Sequence, residues 1–98
     1  MLVVALLKAK GSSTTAQRLP LRAQWNYPEG FNNVLGEYWL QSNDPAIPLV
    51  IAIIETDEVA PLMEAMAAWD EHFEMTFVPA VSAEEGLQLA QQMMQQQG

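Results

Sequence analysis

The chain contains no cysteine, and only four of its 98 residues are basic against twelve acidic ones. Without cysteine there is no disulfide framework, no thiolate nucleophile and no thiolate metal site, which fits a reducing compartment and makes the cytoplasm the expected location. The four cations, Lys8, Lys10, Arg18 and Arg22, sit in a formal net charge of −8. Nucleic acid and anionic membranes both require clustered positive charge, so neither is expected as a partner. No stretch approaches the roughly 20 apolar residues of a membrane span. The opening apolar run has no basic segment before it and is short for a signal peptide, so a soluble protein is expected. A glycine-rich phosphate loop, a Ser-His-Asp series with credible partners and a paired zinc-ligand motif are also missing, and neither cofactor nor metal is expected. A chain of this length buries roughly 60–65 % of its unfolded surface, enough for one modest core, and reads as a single domain over 1–98.

Two short apolar runs stand out, Leu2 to Leu7 and Leu49 to Ile54, uncharged on both alternating faces. A strand wetted on one side should alternate, so both read as central strands buried on both faces. The few helices available can cover one sheet face only, which leaves the other for a second subunit.

Along the chain, Leu2 to Lys8 is a strand, and the hydroxyls of Ser12 to Thr15 can cap a helix or stay in a loop. Ala16 to Trp25 reads as a helix that Pro20 either starts or kinks. After a turn at Asn26 to Gly30, Val34 to Gln41 is a strand in which Gly36 marks a bulge. A hairpin loop spans Ser42 to Pro48 and leads into the second central strand, Leu49 to Glu55. Asp57 is a good N-cap for a helix reaching about Glu71, with Leu62, Met66, Trp69 and Phe73 as its apolar stripe. Met75 to Val81 is a strand whose Pro79 argues for an edge. Ser82 to Glu85 forms a capping box for a last helix through Leu87, Ala90, Met93 and Met94, with a fraying glutamine-rich end.

The order βαββαβ plus a terminal helix is the split, ferredoxin-like α+β plan, with strands one and three central and two and four at the edges of an antiparallel sheet. The apolar runs fall in the central strands, and the proline and glycine in the others. The sheet face left open by the helices would form an interface patch, giving a homodimer through sheet faces.

The residues Met1-Leu2-Val3-Val4, Pro28-Glu29-Gly30-Phe31, Glu55-Thr56-Asp57, Trp69 and Phe73 to Pro79 together resemble the small bacterial and archaeal family catalogued as domain of unknown function 3303. The resemblance covers roughly residues 1 to 81. It implies a dimeric α/β barrel of ferredoxin-like subunits, within a superfamily that includes cofactor-free monooxygenases and haem-degrading and chlorite dismutase-like proteins. The family's own activity is not established, so it assigns no catalytic residue. This chain departs from the family pattern in its first helix, at Pro20.

Five side chains are candidate ligand contacts: Trp39, Glu37, Glu55, Trp69 and His72. Glu37 and Trp39 share one face of the second strand, and a carboxylate beside an indole can orient a polar group in an apolar cavity. Glu55 joins them only in one of two hairpin registers, and otherwise is an exposed strand end. His72, the only histidine, could serve as a base or haem ligand. Its position past a helix C-terminus, among Asp70, Glu71 and Glu74, favours a structural role. Trp69 and Trp25 read first as core. Two classes follow. The favoured one is a dimeric module that binds a small apolar or aromatic ligand or serves assembly. The alternative is a cofactor-free or haem-dependent monooxygenase-like enzyme with His72 or Glu37 as base.

Overall fold

In the computed structural model, which describes residues 1–97, the chain runs β1 (Leu2–Ala9), α1 (Thr15–Gln24), β2 (Asn33–Trp39), β3 (Val50–Glu55), α2 (Ala60–Trp69), β4 (Phe73–Ala80) and α3 (Ala83–Gln97). The four strands form one antiparallel sheet in the order β2-β3-β1-β4. This is the ferredoxin-like α+β plan with an added C-terminal helix. The uncharged runs are the central strands, as their composition requires. Pro79 lies in edge strand β4, and the β2–β3 register slips between Val34 and Gly36, where the glycine permits a bulge.

Alternation then divides the sheet. Val3, Ala5 and Leu7 of β1 and Ala52 and Ile54 of β3 are buried on the helix side, and Ala5, Leu7, Ala52 and Ile54 pack in one cluster with Trp69 of α2 and Phe73 of β4. The residues between them, Val4, Leu6, Ile51 and Ile53, face the other way and are only half-buried, while Tyr38 and Val78 on that face are exposed. Within one chain, therefore, the central strands are fully buried on one face and not, as their composition suggested, on both.

Helix α1 continues through Pro20, whose missing N–H leaves the Ala16 carbonyl without its helical donor. Its start is fixed by a capping box in which Thr14 Oγ1 accepts from Gln17 N and the Gln17 side chain accepts from Thr14 N. Helix α2 differs from the expectation at both ends. Asp57 is not its cap: that carboxylate pairs with the Met1 amine at 2.9 Å, and the helix begins three residues later with Pro61 in its first turn. Its buried stripe is Pro61, Ala65 and Trp69, while Met66 is turned outward and Phe73 already belongs to β4. The reason is close approach on the Pro61 side. Gly30 lies so near the Pro61 ring that a Cβ there would collide with it, so the bare glycine is what lets Pro61 pack inward. Helix α3 opens with Ser82 Oγ accepting from Glu85 N. It extends through the glutamines rather than fraying before them, since glutamine is a good helix former. Leu87, Met93 and Met94 of α3 are all exposed.

Among the described residues no helix is long and apolar enough to cross a membrane, and no group of three acidic or histidine side chains is placed to hold a metal ion.

Candidate functional site

Between α1, α2 and the sheet lies a cavity of about 180 Å³. Its floor is the helix-facing side of the strands (Ala5, Leu7, Ala52, Ile54, Met75, Phe77), and one wall is the aromatic set Trp25, Trp69 and Phe73. Those rings are mutually packed: Trp69 stands edge-on to Trp25 at 5.8 Å between centroids and tilts against Phe73 at 5.8 Å. The opposite wall comes from α1, whose Thr15, Arg18, Leu19 and Arg22 fall at i, i+3, i+4 and i+7 and share one face. That face would normally carry hydrophobes packed onto the sheet. Two arginines occupy it instead, which helps keep the space from being filled.

Glu37 is the hub of the polar wall. The β2–β3 register pairs it with Ala52 and pairs Trp39 with Val50, so both point to the helix side. Arg22 grips the carboxylate with Nε and Nη2, with Nε 3.0 Å from Oε2 and Nη2 3.0 Å from Oε1. The Tyr27 hydroxyl donates to Oε1 in a short hydrogen bond, and Trp39 Nε1 donates to Oε2 at 2.7 Å. Arg22 Nη1 also donates to the Trp25 carbonyl, and its guanidinium lies 5.6 Å from both the Trp25 and Tyr27 ring centres.

The titration behaviour follows from this packing. Burial pushes the Glu37 carboxyl up, but the hydrogen bonds from Arg22, Tyr27 and Trp39 together with the charge of Arg22 outweigh it and hold the group below its ordinary range. The hydrogen bond to Glu37 raises Arg22 against the opposing effect of burial. Tyr27 is pushed strongly upward, first by burial and then by the carboxylate that accepts its proton. At neutral pH the cluster is a fixed carboxylate, guanidinium and neutral phenol. A carboxylate whose lone pairs are all engaged is a poor proton acceptor and a good positioning group.

Arg18 is the second charged wall residue, 9 % exposed. Its Nη1 donates to the Ser13 carbonyl at 2.8 Å and to Ser13 Oγ at 3.3 Å, Nη2 donates to Thr15 Oγ1 at 3.3 Å, and the guanidinium sits 5.2 Å over the Phe73 ring.

Of the sequence candidates, Glu37, Trp39 and Trp69 meet at this cavity, with Trp69 buried in its wall and Trp39 half-exposed at its rim. Glu55 does not join them. It pairs with Leu2 and Asn33 at the exposed end of β3, and its parity sends it to the sheet face opposite Glu37. His72 lies outside the cavity, in the turn between α2 and β4, where its Nδ1 and Ser13 Oγ share a 2.6 Å hydrogen bond. Arg18, Arg22 and Tyr27 were not singled out by the sequence. One signal was legible: Arg18 and Arg22 are four residues apart on one helical face and make up half of the chain's cations.

Residues 2–94 match the family described as Domain of unknown function (DUF3303). The chain belongs to that family. The match extends past the motifs that first suggested it and takes in most of α3. No curated protein and no solved structure matches the chain. DUF3303 membership carries no assigned activity, so the chemistry of this member has to be argued from its own cavity.

Proposed function

We propose that this DUF3303 protein is a small-molecule-binding module whose ligand, flat and largely apolar, enters the cavity between the helices and the sheet. One observation carries this reading: an apolar, aromatic-walled space of ligand dimensions holds a rigid cluster of polar groups converging on Glu37. Small-ligand sites combine these two features. A cavity of about 150 Å³ lined by hydrophobes is enough for benzene, so a space of about 180 Å³ suits one ring with a short substituent. Titration with flat aromatic compounds should give saturable quenching of the emission of Trp25, Trp39 and Trp69, all of which line the space. Quenching by none of them would refute the reading.

The same reading includes a homodimer formed through the open sheet face. Leu2, Val4, Leu6, Ile51, Ile53, Tyr38 and Val78 make an apolar surface in a chain of net charge −8. Two like-charged copies repel each other least across such a surface, and a face meeting its own twin satisfies two-fold symmetry. Ile53→Lys should leave the chain folded and convert the dimer to monomer in sedimentation. A dimer of unchanged affinity would exclude this face. The oxidoreductase reading has less support, because Glu37 is hydrogen-bonded on both oxygens and His72 faces Ser13 rather than the cavity.

A further inference from the structure

The two arginines of the cavity differ in one respect. Arg22 is neutralised by Glu37, whereas among the described residues no carboxylate lies within ion-pair distance of Arg18, although Arg18 is the more deeply buried of the two. Its partners are a carbonyl and two hydroxyls, all neutral. These bonds run from Nη1 and Nη2, and Nε has no protein acceptor among the described residues. Nε, with the adjacent Nη2, forms the edge of the guanidinium that matches the two oxygens of a carboxylate.

Burying a charge without a counter-ion is costly, and buried guanidinium groups are ordinarily paired. The Phe73 ring beneath Arg18 offsets part of that cost, but it supplies no acceptor. Charge around the whole cavity leads to the same point. Among the described residues, Arg18, Arg22 and Glu37 are its only charged lining residues, so that lining carries one net positive charge inside a protein of net charge −8. None of the other eleven acidic residues lines the cavity.

We infer that the ligand is a monoanionic carboxylic acid with a single-ring apolar body, its carboxylate on the Nε/Nη2 edge of Arg18 and its ring against Trp25, Trp69 and Phe73. One surplus positive charge selects a monoanion over a phosphate dianion, and the apolar floor excludes a polar body. The inference rests on the cavity being a binding site. Arg18 acts here as the specificity-determining residue, while Glu37, held by Arg22, Tyr27 and Trp39, closes the far wall and repels a second anionic group.

The test is calorimetric titration of the wild-type protein with phenylacetate and with its neutral isostere phenylacetamide, with tryptophan emission followed in parallel. The acid should bind at least about tenfold more tightly than the amide, the size of one charge-assisted hydrogen bond in a desolvated site. Arg18→Met should remove that preference and leave amide binding in place. Equal affinity of the wild type for acid and amide would overturn the assignment of Arg18 and leave the cavity as a binding site. Failure of both to bind or to alter emission at millimolar concentration would overturn the cavity reading itself. The wild-type comparison needs no variant, so a folding defect in Arg18→Met leaves it decisive.

Discussion

Val3 and Val4 are neighbours in β1 with the same side chain, yet Val3 is 2 % exposed on the helix side while Val4 is only half-buried on the opposite face. The contrast repeats at Ile54 and Ile53 in β3. Composition makes both faces of the central strands apolar, but only one is closed by the chain's own helices. Even that closure is incomplete, because α1 brings arginines rather than hydrophobes to the sheet and leaves a cavity. One face is thus a core with a polar-walled hole in it, and the other is an apolar patch over the central strands with Glu55, Glu74 and Lys8 at its margins.

Aspartate at these adjacent positions should separate the two faces most strongly. Val3→Asp places an unpaired carboxylate in the core and should cost about 4 kcal/mol or more, enough to unfold a marginal domain. Val4→Asp should cost less than half of that while abolishing the self-association proposed above. Urea denaturation of both variants, with sedimentation of the second, checks the pair, and equal losses would mean that the two faces are equally buried in solution. Trp69→Ala should cost about 3–5 kcal/mol through the void it leaves in the cavity wall. Tyr38→Ala, on the open face and mostly exposed, should stay within about 0.5 kcal/mol for the isolated chain.

Smaller effects probe the polar wall. Glu37→Gln should cost about 1–2 kcal/mol at pH 7, since it leaves Arg22 with a weaker, neutral acceptor. The sign of the pH dependence follows from its lowered pKa. Glu37 stabilises the fold above its ordinary value of 4.5 and loses that contribution as pH falls through the lower, folded value. Wild-type stability should therefore decline on acidification below about pH 4.5, and the decline should be shallower in Glu37→Gln when followed by urea titration. Tyr27, raised in the fold, stabilises fully below its ordinary value of 10.0 and loses that effect at higher pH; Tyr27→Phe should remove this alkaline limb. Trp39→Phe, at the rim, removes one hydrogen bond to Glu37 and should cost about 0.5–1 kcal/mol in the same assay.

The features legible along the chain are local and periodic. Uncharged runs make β1 and β3 central, Pro79 keeps β4 at an edge, Gly36 marks the bulge in β2, and the hydroxyls of Ser12 to Thr15 offer a cap for α1. Each depends on backbone geometry or on neighbours within a few residues, so a linear reading can reach it. The rotation of α2 could not be read this way, because the inward packing of Pro61 depends on the bare Gly30, some thirty residues earlier in the chain. The register that puts Glu37 over Ala52 and turns Glu55 away was equally out of reach, since a one-residue slip reverses every side chain. Only the tertiary structure brought Arg22 and Tyr27 onto Glu37 and left Arg18 without a counter-ion at the cavity. Charge complementarity depends on distance in space, and the spacing of residues along a chain does not encode it.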